Sequence, residues 1–247
     1  MNTILFDLDG TLLSMDTNKF MHHYLKALTE AFLPHMEPDM FQELLWAGTR
    51  KMLKNPGGGQ TNEAVFYREF FNGREAYQEK MIQTFESFYE SSFDQAKVAT
   101  SRNDVMVEAV QELKSKGYRL AVATNPLFPL QAVERRIQWA GLSTDHFDMI
   151  TSFETMHACK PNPAFYQEVL ERLEIDPQDA LMVGNDDQED LAAGTLGICT
   201  YLVTDCLIQS ESSPYEPDHQ GTSADFLEYA KALPDLVKTV ADPSIMV

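Results

Sequence analysis

Short apolar runs that each stop at a polar, chemistry-bearing residue constrain this chain more than any other feature. Thr3 to Phe6 (TILF) stops at Asp7, Arg119 to Thr124 (RLAVAT) at Asn125, and Ala180 to Gly184 (ALMVG) at Asn185. Phe147 to Ser152 (FDMITS) and Thr200 to Val203 (TYLV) have the same character. Short apolar segments of this kind suit strands buried on both faces, as in parallel sheets. Amphipathic helical patterns separate them. Asp104 is placed to cap a helix that runs through Lys116 and closes at Gly117. Pro163 can open another running to about Leu173, with Phe165, Tyr166, Val169, Leu170 and Leu173 along one side. The alternation predicts an α/β fold, a parallel sheet covered by helices on both faces.

Residues 14–103 break that alternation. Phe20, Met21, Tyr24, Leu25, Leu28 and Phe32 recur at helical spacing, and Phe66, Phe70, Met81, Phe85, Phe88 and Tyr89 continue the pattern. With no strand-like run among them, the chain divides into a core of residues 1–13 and 104–247 and a helical insertion of residues 14–103. The aromatic side chains read as filling for a small bundle; an aromatic binding face is the sharper alternative. Gly57-Gly58-Gly59 follows Pro56 and opens no helix after a strand, so it is a flexible loop rather than a phosphate cradle. The stretch 209–223 is polar and turn-rich, and a last helix follows near Ala224 to Leu233.

Charge narrows the partners. Thirty-eight acids face 19 Lys and Arg, for a formal net charge of −19, a field that repels nucleic acid and anionic membranes. No apolar run reaches the length of a bilayer span, and the opening MNTILFDLDG lacks the basic and long apolar regions of a signal peptide. The expectation is a cytoplasmic protein with neither nucleic-acid nor membrane partners. Cys159, Cys199 and Cys206 show no zinc-ligand or CxxC spacing and read as reduced thiols. The same field repels a phosphorylated substrate, so a phosphate site needs a metal, a lysine or backbone N–H groups.

Four candidate pieces sit where strands end, the edge at which open α/β sheets place ligands. Asp7-Leu8-Asp9-Gly10-Thr11 puts two carboxylates one residue apart, an unfavourable arrangement unless a cation lies between them. An acidic turn with a helix cap would explain one of these acids but not both. Thr124-Asn125 offers a hydroxyl followed by backbone N–H groups, although Thr-Asn-Pro is also a common turn. Lys160 stands before Pro161 at a helix start, where a lysine is either solvated or set to neutralise phosphoryl charge. Gly184-Asn185-Asp186-Asp187-Gln188-Glu189-Asp190 is either an acidic helix start or a hard-cation site.

In this order the four pieces resemble the motifs of the haloacid dehalogenase superfamily of phosphatases, and KPNPAFYQEVLERLEIDPQDALMVGN resembles the passage between its third and fourth motifs. The resemblance implies a Rossmann-like parallel sheet with an all-helical, C1-type cap domain inserted after the first strand. It further implies a magnesium-dependent phosphohydrolase acting on a small phosphorylated metabolite. Asp7 is then the nucleophile, Asp9 the acid and base, and Lys160 the charge-offsetting cation. Thr124 and Asn125 bind phosphoryl oxygens and Thr11 orients the loop. The metal set is drawn from Asp7, Asp9, Asn185, Asp186 and Asp190. One departure stands out: the family's fourth motif begins Gly-Asp, and here Gly184 precedes Asn185. A carboxylate attracts a dication more than an amide does, which favours Asp186 as direct ligand and leaves Asp190 to Lys160 or a metal-bound water. Asp9 argues against dehalogenation, whose enzymes in this superfamily lack the second acid. A sugar phosphomutase and a non-enzymatic regulatory domain are the alternatives. His22, His23, Arg50 and Arg68 are the polar residues of the insertion open to a specificity role.

Overall fold

A computed structural model describes residues 1–237; residues 238–247, assigned above to the core, lie outside the described residues. In chain order, β1 (Thr3–Phe6) and β2 (Leu13–Met15) lead into α1 (Thr17–Phe32), α2 (Pro38–Leu53), α3 (Asn62–Phe70) and α4 (Gln78–Ser91). Then come β3 (Thr100–Arg102), α5 (Asp104–Ser115), β4 (Arg119–Val122), α6 (Leu130–Trp139) and β5 (Met149–Ile150). The chain continues through α7 (Pro163–Leu173), β6 (Ala180–Gly184), β7 (Cys199–Val203), β8 (His219–Gly221) and α8 (Ser223–Ala232).

Six strands form a parallel sheet in the order β5-β4-β1-β6-β7-β8. β1 lies inside it and later strands wind outward on both sides, so the ends of β1, β4 and β6 meet at the topological switch point. Side-chain alternation divides the core. Ile4, Phe6, Leu120, Val122, Leu181 and Val183 pack with residues of α5, α6 and α8. Leu5, Ala121 and Met182 face the other way, against Phe165, Tyr166 and Val169 of α7. Full burial of each large apolar side chain contributes about 1.5–3 kcal/mol, so a one-residue slip of β1 would forfeit several such terms at once. The expected sheet with helices on both faces is what forms.

Several boundaries differ from expectation. Asn103, rather than Asp104, caps α5, accepting a hydrogen bond from Met106 N at 3.2 Å. Asp104 takes the first turn, where its charge suits the helix dipole. Of residues 147–152 only Met149 and Ile150 are strand, and just before them the Asp148 carboxylate accepts from Leu120 N at 3.0 Å. β8 arises inside the polar stretch, an edge strand of His-Gln-Gly that pairs with β7 through main-chain bonds and carries no apolar signal.

Four helices lie within residues 14–103, and their aromatic residues form the interior; Phe32 stacks on Phe41 at 4.4 Å and lies 4.6 Å from Phe85. The segment's two ends, however, pair as an antiparallel ribbon, β2 with β3. Leu-Ser-Met and Thr-Ser-Arg are too short and polar to announce a strand. A second attachment lies in the loop between α2 and α3 and at the start of α3. Pro56 bridges to Ala158, and the fully buried Asn62 donates its amide to the carbonyls of Pro126 and Ala158, each at 3.3 Å. Asn62 N and Glu63 N donate to Met156 O and Phe153 O, each at 2.8 Å. The triglycine loop is thereby anchored beside the segment that leads to Lys160.

Candidate active site

The parallel ladder of β1 continues one residue beyond the strand, Asp7 N donating to Val183 O at 2.8 Å, which delivers the Asp7 carboxylate to the sheet edge. Two glycines let the site close. Gly10 has φ of +93°, and a Cβ there would fall 2.2 Å from Asn185 Nδ2, so the first loop meets the fourth only with glycine at this position. Thr11 Oγ1 then donates to Asn185 Oδ1 at 3.0 Å. A Cβ at Gly184 would fall 2.1 Å from the Asp190 carboxylate.

Lys160, fully buried, donates from Nζ to Asp7 Oδ1 at 3.0 Å and to Asp190 Oδ1 at 2.6 Å. The other oxygen of Asp190 accepts from Asp186 N at 2.9 Å. Tyr166 of α7 donates to Glu189 O at 2.6 Å and holds this turn from below. Electrostatics follow from the burial. Desolvation pushes the Asp7 carboxyl up to about 8 against the pull of Lys160, and Asp190 and Asp9 push the same way. Burial also raises Asp9, opposed by Arg136. For Lys160 burial opposes the charge, but Asp190 and Asp7 outweigh it and hold the ammonium well above its ordinary value. Burial lifts Glu189 to about 7 against the pull of Lys160.

The remaining expected residues gather at the same edge. Thr124 is buried at the end of β4, its carbonyl accepting from Thr151 Oγ1 at 2.7 Å. Asn125 Oδ1 is buried without a hydrogen-bond partner among the described residues. Asn185 is spanned by Thr11 on its oxygen and by Cys206 O, which accepts from Nδ2 at 2.7 Å. Asp186 is half-buried and uses Oδ1 to accept from Gln188 N and Glu189 N, each at 2.8 Å. Among the described residues, no three His, Cys, Asp or Glu side chains form a metal cage. Magnesium does not need one, since it binds through one or two carboxylates together with neutral oxygens, water and substrate. Buried carboxylates, an amide oxygen and the partnerless Asp9 Oδ1 make a donor set that fits such a hard cation.

One residue of the site escapes the sequence reading. Arg136 of α6 is fully buried, and its Nη1 donates to Asp9 Oδ2. Its Nε donates to Ala132 O at 3.2 Å, and the guanidinium lies 4.4 Å from the Phe128 ring centroid. The available signal was its place on the apolar side of α6 with Ala132, Val133 and Ile137, whereas neighbouring Arg135 pairs with Asp94 at the surface. Of the insertion's expected specificity residues, Arg68 turns to the Gln60 side chain, and His22 and His23 pack on each other. An apolar cavity of about 120 Å³ lies beyond Phe128, lined by Tyr24, Trp46, Phe66, Tyr89 and Phe153 among others.

Comparison with known proteins places this arrangement. A family model described as haloacid dehalogenase-like hydrolase matches residues 4–203. Pyrophosphatase PpaX of Bacillus mycoides is 26% identical over 230 residues, covering 88% of this chain and 91% of that protein. Its counterpart in Bacillus cereus strain G9842 is 28% identical over 204 residues, 78% of each. A 2-haloacid dehalogenase of Pseudomonas syringae superposes with a TM-score of 0.62 at 20% identity, covering 94% of this chain and 98% of that one. A predicted phosphoglycolate phosphatase of Haemophilus somnus gives 0.54 at 21%, with 93% and 97% covered. At such identities the two structures speak for the fold.

Proposed function

The chain belongs to the haloacid dehalogenase-like hydrolases, and from that premise we propose that it is a magnesium-dependent phosphohydrolase acting on a small phosphorylated metabolite through an aspartyl-phosphate at Asp7. The observation that carries the reading is the buried ammonium of Lys160 held between Asp7 and Asp190. It occupies one oxygen of Asp7 and leaves the other to attack phosphorus, while its charge offsets the approaching phosphoryl group.

Attack by the free Asp7 oxygen breaks the bond from phosphorus to the leaving oxygen, and Asp9 gives that oxygen its proton. Asp9 then takes a proton from water as the water attacks the aspartyl-phosphate, which releases phosphate and restores Asp7. The Thr124 hydroxyl and the N–H groups around Asn125 bind the phosphoryl oxygens. Asp7, Asp9 and Asp186 or Asn185 would hold magnesium, which when bound would screen the repulsion between carboxylate and phosphate. The pairing of Asp190 with Lys160 supports a supporting rather than a ligating role for Asp190. Residues 14–103 act as a cap that excludes water during attack, rooted in the β2–β3 ribbon and latched at Asn62. The PpaX relatives are named pyrophosphatases, which adds short phosphoanhydrides to the candidate substrates.

The test is phosphate release from a panel of phosphorylated metabolites with magnesium, for the wild type and for Asp7→Asn. Activity is expected to vanish in the variant, and in the wild type on chelation, returning when the ion is added back. Wild-type turnover by Asp7→Asn would remove Asp7 as nucleophile.

A further inference from the structure

We propose that Arg136 is a substrate-recognition residue that binds an oxyanion, carboxylate or phosphate, carried on the leaving group. The inference rests on the phosphohydrolase reading and concerns the half of the substrate that departs. A guanidinium taken wholly out of water is costly unless its donors are paired. Arg136 is fully buried, yet among the described residues it has one ion pair, from Nη1 to Asp9 Oδ2. Among the described residues its Nη2 is buried with no partner. The fork could have clasped Asp9 with both limbs, the strong geometry for arginine and carboxylate. It uses one limb only. An open donor is thus left on Arg136, beside the acid that serves the leaving oxygen.

Their place in the site identifies what fits. Lys160 touches Asp7, the residue whose other oxygen receives phosphorus, whereas Arg136 touches Asp9, the group that serves the leaving oxygen. The Phe128 ring beside Arg136 lies 5.3 Å from the Tyr24 ring of α1, which puts the guanidinium at the seam between core and helical insertion. Phe128 covers one of its faces at 4.4 Å. A ligand atom that bridges the seam beside Asp9 belongs to the leaving group. In a chain of net charge −19, a buried cation with a spare donor favours an anion there.

The experiment compares three substrates with the full-length protein and magnesium: inorganic pyrophosphate, 2-phosphoglycolate and ethyl phosphate. The first two have leaving groups with a phosphate and a carboxylate, and the third leaves as neutral ethanol. Arg136→Met keeps most of the stem, and Arg136→Lys keeps the charge without the fork. Relative to ethyl phosphate, Arg136→Met is expected to lose a further 10- to 100-fold, roughly, in kcat/KM on at least one anionic substrate, chiefly through KM. Arg136→Lys should recover part of that loss, and the substrate with the larger effect tells phosphate from carboxylate. Unfolding curves establish that each variant is folded; if Arg136→Met is not, the same ratio is read from Arg136→Lys. An equal loss on all three substrates would overturn the assignment and leave Arg136 as a positioning residue for Asp9, with the phosphohydrolase reading intact. Phosphate release that persists in Asp7→Asn, or none from any substrate in the wild type, would overturn both.

Discussion

Replacing Asp7 by Asn should stabilise the metal-free protein at alkaline pH while it ends turnover. The Asp7 side chain is 12% exposed, and burial lifts its carboxyl from 3.8 to about 8 although Lys160 Nζ lies 3.0 Å away. The folded state therefore holds the Asp7 proton more tightly than the unfolded chain does. Stability is lost as pH rises from the unfolded value towards 8, and the loss is complete above it. At about 1.4 kcal/mol per pH unit for one group, that window caps the penalty near 5–6 kcal/mol. Asparagine is nearly isosteric and carries no charge to desolvate, and the rise to about 8 is already net of the pull of Lys160. Lys160 keeps Asp190 at 2.6 Å, so its ammonium is not stranded. The net gain for Asp7→Asn is then at most about 5–6 kcal/mol at pH 8.5 and close to zero near pH 4. Urea unfolding with chelator present, at both pH values, reads this as a midpoint shift at unchanged m. A variant less stable than the wild type at pH 8.5, or one with the same difference at both pH values, would refute the reasoning.

Two further substitutions probe the scaffold around the site. Gly184→Ala places a Cβ 2.1 Å from the Asp190 carboxylate; displacing that group from Lys160 should lower kcat by about 100-fold in a protein whose circular dichroism is unchanged. Asn62→Ala takes away one of two acceptors of Asn55 Nδ2, which keeps Gln60 O at 3.0 Å, and the amide that two buried carbonyls accept from. A loss of about 1–3 kcal/mol in unfolding free energy is expected, and a change below about 0.5 kcal/mol would mean that the loop is not pinned there.

What could be read without coordinates follows from how local each signal is. β1, β6 and α7 lie where the sequence puts them, because uninterrupted apolar runs and a proline at a helix start act within a few residues. The same runs end at Asp7, Thr124 and Gly184, so the edge where the site assembles was legible too. The ribbon of β2 with β3 and the edge strand β8 were not, since main-chain bonding to a partner distant in sequence makes them strands, whatever their polar side chains suggest.

The chain's own order of residues determined the sheet, the helical insertion and the row of acids with one lysine. Only the tertiary structure decided how those charges pair. Lys160 meets Asp7 across 153 positions, Thr11 meets Asn185 across 174, and Arg136 meets Asp9 across 127. In sequence Arg135 and Arg136 are neighbours of equal charge; in the fold one reaches Asp94 at the surface and the other is fully buried beside Asp9. Helical periodicity states which side of α6 a residue is on, but whether a charge there is tolerated depends on what the fold brings opposite it. A buried ion needs a counter-charge within a few ångströms, and that distance is a property of the folded molecule alone.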